Sequence, residues 1–189
     1  MAQARPLRAD AARNRTKILA AAHAQITRHG PDVPMDAIAE AAGMAVGTLY
    51  RHYPTKSALV NAVLAARVEQ MAGDIEATAA RVVAGAHPMS EITALIVRTV
   101  ESAAGDHAVK AAARALGTAE YQRDRLEGAT SALNRLIAAA QADGDLHPDI
   151  TVDDFILLLA TAPLDQPPEV RRRWLTLTLP GFTAARGRP

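Results

Sequence analysis

The segment from residue 46 to residue 56 concentrates side chains that can hydrogen-bond to nucleic acid. It offers hydroxyls, an imidazole, a guanidinium and an ammonium group. Leu49 stands among them as an apolar residue, and its spacing from Ile38 and Ala42 predicts that it faces inward. The opposite face of a short helix then presents a set of residues available to DNA: Val46, Gly47, Thr48, Tyr50, Arg51 and His52.

Three predicted helices position this segment. Apolar residues recur at helical spacing over residues 14–29, and a second helix is predicted from Pro34 to just before Gly43. A third helix is predicted over Val46–His52, because Pro54 follows it. Gly43 can adopt the left-handed conformation that redirects the chain between the second and third helices. Three short helices with such a turn are typical of a helix-turn-helix.

The rest of the chain also has a helical period and shows no sustained period-two alternation. A long fourth helix is predicted from Lys56 towards Val83, with Thr55 as its N-cap. Breaks are predicted at Gly105-Asp106, Gly144-Asp145 and Pro163–Pro168. The helices between them are predicted at Ser90–Ala104, Val109–Leu116, Tyr121–Ala142, Val152–Thr161 and Glu169–Thr183. The predicted fold class is therefore all-α.

Charge is distributed unevenly along the chain. Residues 1–56 carry eight Lys and Arg against four Asp and Glu, whereas the remainder carries 13 and 16. A basic N-terminal part is suited to binding phosphates, although a solvated surface with a chance bias would look the same. The chain has no cysteine, no run of eighteen apolar residues and no signal-peptide pattern, so we expect a cytoplasmic protein with no membrane partner.

The motifs of helical enzymes are missing from the sequence. The six histidines form no His-x-x-x-His pair and no Glu-x-x-His motif, which are the common helical metal sites. No glycine-rich phosphate loop or nucleophile elbow is present. We therefore expect no catalytic residues, no metal ligands and no cofactor.

Residues 38–59 resemble the signature of the TetR family of transcriptional regulators nearly residue for residue. The spacing that carries the resemblance is that of Gly43, Gly47-Thr48, Leu49-Tyr50, Tyr53 and Lys56. The strong resemblance covers about residues 10–70. It implies an N-terminal helix-turn-helix DNA-binding domain at 10–70, on a helical-bundle domain for ligand binding and dimerisation at 71–189.

The resemblance also implies a role for each residue of the motif. Phosphate contacts are implied for Thr48, Tyr50, His52 and Lys56, and positions that read base edges for Val46, Gly47 and Arg51. Arg51 can hold guanine O6 and N7 with two hydrogen bonds, whereas Val46 can only touch a thymine methyl group. Gly47 has no side chain and allows close approach. Arg51 is therefore the residue expected to determine sequence specificity.

Two departures from the family pattern affect helix capping. Pro34 and Met35 stand where family members often have Thr or Ser, and Ala45 stands where Ser often opens the third helix. A missing cap costs about 1 kcal/mol. The basic arm Arg5–Arg15 can compensate by reaching phosphates or the minor groove; the alternative is that it is disordered. The departures also leave open a helical interaction module that no longer binds DNA. An activator in place of a repressor shares all the sequence evidence.

For the second domain, the resemblance implies a homodimer formed through the last two long helices. Residues 155–159 are all apolar, and a helix that is apolar all round needs partners on both sides. The alternative is that this is the central helix of a monomer. The expected interface residues are Phe155, Leu158, Leu159, Trp174, Leu177 and Phe182.

A small-molecule effector is the remaining implied partner. It would bind among the helices of the second domain and release the dimer from a near-palindromic double-stranded operator, by favouring the state that cannot bind DNA. The candidate ligand-binding residues are Met71, His87, Met89, Arg98, His107, Arg114 and Tyr121.

Overall fold

The computed structural model describes residues 4–117 and 127–184, without the side chains of residues 4–9 and 127, and its fold is all-α as predicted. Its helices are α1 Ala4–His29, α2 Met35–Ala41, α3 Val46–His52, α4 Lys56–Val83, α5 Pro88–Ala115, α6 Glu127–Ala142, α7 Val152–Thr161 and α8 Pro168–Thr178, and a 3-10 turn follows at Leu179–Phe182. Within the described residues, β pairing is limited to one isolated bridge between Leu146 and Thr183.

The chain folds as two compact units, and α4 and α5 contribute to both. The first, called the head, consists of residues 1–67 and 105–121. Its core contains the apolar stripe predicted for α1, which is fully buried at Ile18, Ala22 and Ile26. The other helices of the head add Ile38, Leu49, Leu59, Val63, Val109 and Ala112 to this core. The C-terminal part of α5 therefore belongs to the head.

The second unit, called the body, consists of residues 68–104 and 122–189. Its core is built where the apolar faces of α4 to α8 meet, each helix contributing residues at helical spacing. The buried side chains include Ile75, Ile92, Leu95, Val100, Leu136, Leu146, Phe155, Leu158 and Leu175.

The predicted break at Gly105-Asp106 is wrong, because α5 continues through both residues to Ala115. Glycine inside a helix costs about 1 kcal/mol relative to alanine, and contacts with other helices of the head offset that cost. The Asp106 carboxylate lies 2.7 Å from His23 Nε2 on α1 and accepts a 2.8 Å hydrogen bond from Arg67 Nε on α4. The Thr27 hydroxyl donates to the Gly105 carbonyl at 3.0 Å.

Several helix ends also differ from their predicted positions. The first helix begins at Ala4, not at residue 14. The last α-helix stops at Thr178, not at residue 183, because Pro180 has no N–H to continue it. The second begins at Met35, with Pro34 directly before it. The predicted start of α6 at Tyr121 lies outside the described residues.

Helix α7 begins with a reciprocal cap. The backbone N–H and the hydroxyl of Thr151 both donate to Asp154 Oδ2 at 2.8 Å. The backbone hydrogen bond, and then the hydroxyl bond, lower the pKa of Asp154 from its ordinary value of 3.8. Only the ionised Asp154 carboxylate accepts these two hydrogen bonds. The cap therefore contributes its full stabilisation at pH values above the pKa of Asp154 in the unfolded chain. This stabilisation is lost as the pH falls through the lowered pKa of Asp154 in the folded protein.

We therefore expect Asp154→Asn to lower the free energy of unfolding at pH 6 by more than it does at pH 3, measured by urea denaturation. Asp153→Asn is the matched control, because Asp153 is the exposed neighbour in the same helical turn. A difference between wild type and Asp154→Asn that does not change with pH would contradict this assignment.

Candidate nucleic-acid interface

The turn between α2 and α3 has the left-handed geometry that was predicted for Gly43. Gly43 has a φ of 67°, in the left-handed region. Its N–H donates to the Glu40 carbonyl at 2.9 Å, and the Met44 N–H donates to the Ala39 carbonyl at 3.0 Å. These bonds close the end of α2 and redirect the chain towards α3.

Helix α3 packs one face into the head and leaves the other in solvent. Leu49 is fully buried, which confirms its predicted inward position, and Tyr53 is nearly fully buried beside it in the sequence motif. On the outer face, Val46 and Tyr50 are 37% and 44% exposed, and their i, i+4 spacing makes them neighbours on the helix.

The remaining residues of the motif also differ in their exposure to solvent. Gly47, Arg51 and His52 are exposed, and Thr48 is half-buried. Gly47 and Arg51 form a second i, i+4 pair beside Val46 and Tyr50. Arg51 makes no ion pair with any residue that the structure describes, so its guanidinium is available to a ligand. Thus the three residues expected to read bases lie together on one open surface.

Lys56 has a partner that the sequence did not reveal. Its ammonium donates to the Val33 carbonyl at 2.6 Å and ties the start of α4 to the loop before α2. An ammonium has three N–H groups, so a phosphate contact remains possible beside this bond. Thr55 caps α4 as predicted, since its hydroxyl accepts the Ala58 N–H at 3.1 Å.

Neither α2 nor α3 has a side-chain cap, in agreement with the departures at Pro34 and Ala45. Instead, buried side chains hold both helices, with Met35, Ile38 and Ala39 from α2 and Leu49 from α3. Packing of an apolar face stabilises a short helix more than its own propensity does. The missing caps therefore leave the shape of the motif intact.

Comparison with protein families identifies both parts of the chain. Residues 18–63 match the model of bacterial regulatory proteins of the tetR family, and residues 87–184 match the C-terminal domain of SbtR-like transcriptional regulators. The chain belongs to the TetR family. As a member of it, the protein is a DNA-binding transcriptional regulator.

Solved structures of other TetR regulators agree with this assignment. A TetR transcriptional regulator from Streptomyces coelicolor is 30% identical, with 90% of this chain and 99% of that chain covered and a TM-score of 0.74. A TetR transcription regulatory protein from Mycobacterium vanbaalenii is 34% identical, with 95% and 100% covered and a TM-score of 0.70. The ketosteroid transcriptional regulator of Mycobacterium tuberculosis, at 19% identity, 90% and 95% coverage and a TM-score of 0.57, shares the fold alone.

No curated protein sequence matches this chain. Among the described residues, no helix combines the length and the apolarity that crossing a membrane requires.

The structure does not bring the predicted effector-binding residues of this TetR protein into one site. His107 and Arg114 are exposed on the part of α5 that belongs to the head. The other four described candidates belong to the body, and Tyr121 lies outside the described residues. Met71 packs against the body core, and Arg98 forms an exposed ion pair with Asp74 at 3.1 Å.

The last two candidates, His87 and Met89, line a shallow depression of about 450 Å³ in the body. This volume falls within the usual range of ligand pockets, about 300–1,000 Å³.

The predicted dimer residues of α7 and α8 differ in their access to solvent. Phe155 and Leu158 are buried in the body core of the same chain. Leu159, Trp174 and Phe182 are half-buried, and Leu177 is 63% exposed. Exposed apolar side chains that the prediction did not select are Ile156 and Leu157, at 58% and 60%. Helix α7 is thus apolar on a face inside the protomer and on a face open to a partner.

Proposed function

We propose that this TetR regulator is a cytoplasmic homodimeric repressor whose α3 helices bind the two halves of a near-palindromic operator. The observation that carries the proposal is the exposed face of α3, where Val46, Gly47 and Arg51 lie side by side while Leu49 anchors the helix in the head. A helix presented in this way fits the major groove. Thr48, Tyr50, His52 and Lys56 flank this face and are proposed to bind phosphates.

The proposal is tested by footprinting the DNA that flanks the protein's own gene. We expect protection of a short near-palindrome with half-sites about 34–36 Å apart, or a multiple of that distance. Protection should weaken steeply as salt rises, because phosphate contacts release counterions. A folded, dimeric protein that protects no fragment at low salt would overturn the proposal and favour a module without DNA binding.

The proposed dimer forms through the open faces of α7 and α8. Ile156, Leu157 and Leu177 are each more than half exposed. Burying such side chains against a second copy removes apolar surface from water and favours association. Trp174, Leu159 and Phe182 would border the same contact.

Leu157→Glu is expected to convert the dimer to a monomer, measured by light scattering after gel filtration, because it would place a carboxylate in an apolar interface. Val83→Glu is the matched control, since Val83 is an 85% exposed apolar residue at the end of α4. A Leu157→Glu variant that remains as dimeric as Val83→Glu would place the interface elsewhere.

We further propose that a small molecule bound by the body releases the operator. It must bind the DNA-incompetent state more tightly, since equal affinity for both states would shift nothing. An effector would be recognised by its ability to reverse the footprint, and a compound that binds equally well to free and operator-bound protein would not qualify. The residues proposed to contact it are the candidates that belong to the body, Met71, His87, Met89 and Arg98, of which His87 and Met89 line the depression there.

A further inference from the structure

One histidine and two aspartates from separate parts of the chain converge in the body. His87 directly precedes α5, and Asp143 and Asp145 directly follow α6. Each residue offers one ligand atom, and these atoms all lie within 4.8 Å of one another. His87 Nε2 lies 3.1 Å from Asp145 Oδ2. The cluster thus combines one imidazole nitrogen with two carboxylate groups.

The backbone holds the two aspartates in place. Gly144 between them has a φ of 73°, in the left-handed region. The Gly144 N–H donates to the Gln141 carbonyl at 3.0 Å, and the Asp145 N–H donates to the Ala140 carbonyl at 3.1 Å. These bonds close the end of α6, so the carboxylates are carried by an ordered turn. Ligands that are already in position lose less conformational entropy on binding.

The surroundings favour a bound cation. Asp145 is only 9% exposed and is paired with His87 at 3.1 Å, so its buried carboxylate already has a partner. Asp143 adds a second negative charge within a few ångströms. His87 and Asp145 also line the 450 Å³ depression, which gives an ion and its water ligands access to the cluster.

The histidine has a partner that can orient its ring. Ser90 Oγ lies 3.4 Å from His87 Nδ1, on the side of the ring away from the aspartates. The Ser90 backbone N–H also donates to Nδ1 at 3.4 Å, so Nδ1 accepts here and Nε2 faces Asp145. A metal at Nε2 would require the other tautomer, in which Nδ1 carries the proton and donates towards the Ser90 hydroxyl. Most metal-binding histidines have such a partner on their second nitrogen.

The donor set selects a class of metal. Mg²⁺ and Ca²⁺ prefer ligand sets made of oxygen, whereas an imidazole nitrogen suits zinc, nickel, copper and iron. We propose that His87, Asp143 and Asp145 form a binding site for a divalent transition-metal ion such as Zn²⁺. The sequence offered no signal for it, because the expected helical His motifs are absent and the ligands come from two distant segments. The inference is independent of operator binding, because metal binding is measured without DNA.

The test is calorimetric titration of the tag-free, EDTA-stripped full chain with ZnCl₂ at pH 7. We expect a single class of site with one ion per chain. His87→Ala and Asp143→Asn should each weaken zinc binding by at least about tenfold. Zinc should also raise the thermal unfolding temperature of the wild type and not that of His87→Ala, because a ligand of the native state stabilises it. Asp145 is left unchanged because its side chain is buried.

His147→Ala is the matched control. His147 forms a pair with Asp149 close by in the sequence, but neither belongs to the cluster. This variant should bind zinc as the wild type does. The proposal is overturned if the wild type takes up no zinc, or if His87→Ala and Asp143→Asn bind it as tightly as His147→Ala.

Discussion

Arg51→Ala is expected to abolish operator protection at protein concentrations that saturate the wild type. Arg51 is exposed on α3 beside Val46 and Gly47 and makes no ion pair with the residues that the structure describes. A bidentate arginine contact with guanine is worth about 1–3 kcal/mol in each half-site. Two half-sites in a dimer would double that loss. Footprint titration measures it directly.

The same experiment separates base reading from phosphate binding. If Arg51 reads a base, Arg51→Ala should relax the sequence preference at one position of each half-site and leave the salt dependence nearly unchanged. Loss of a phosphate contact would instead weaken binding on all sequences and reduce the salt slope. The matched control is Arg135→Ala in the body, where an exposed arginine pairs with Glu76 at 3.3 Å. Equal protection by Arg51→Ala and Arg135→Ala would remove Arg51 from the interface.

Asp106→Ala is expected to destabilise the head by about 3 kcal/mol, the usual cost of breaking a buried ion pair. Asp106 is 7% exposed and joins three helices of the head through His23 on α1 and Arg67 on α4. Removing its carboxylate leaves both partners, which are themselves about three-quarters buried, without this acceptor. Urea denaturation followed by circular dichroism measures the loss. Operator affinity should fall as well, because α3 packs on the same core.

Two variants make this prediction specific. Asp106→Asn keeps an acceptor oxygen without the charge, so we expect a smaller loss of stability than for alanine. Asp74→Ala removes the exposed partner of Arg98 in the body, and a surface ion pair is worth less than about 1 kcal/mol. If Asp74→Ala and Asp106→Ala destabilise the protein equally, Asp106 does not have the role assigned to it.

The features that were predictable from the sequence depend on residues close together in the chain. Helix α3 begins and ends where predicted, and so does α4, because Thr55 and Pro54 act on the backbone beside them. Gly43 adopts its left-handed conformation for an equally local reason. The inward position of Leu49 follows from helical spacing within one short motif. For the same reason most of the exposed face of α3 was predictable, with Thr48, which is half-buried, as the exception.

Contacts between distant segments decided the features that the sequence did not show. Gly105-Asp106 has the composition of a break, and it stays helical because Asp106 meets His23 and Arg67, which are 83 and 39 residues away. The bond from Lys56 to the Val33 carbonyl depends on how α4 packs beside the loop before α2. Neither pairing leaves a periodic pattern in the chain.

The apolar run at 155–159 depends both on the local sequence and on tertiary packing. Composition alone indicated that this helix needs partners on more than one side. Only packing against α6 and the rest of the body core assigns Phe155 and Leu158 to the core and leaves Ile156 and Leu157 outside. His87 and the aspartates after α6 are a similar case, since folding alone brings them within coordination distance. Local preferences thus determined most of the helix ends and the exposed face of α3. Contacts between distant side chains, which depend on the folded backbone, determined the continuity of α5, the core of the body and its proposed metal site.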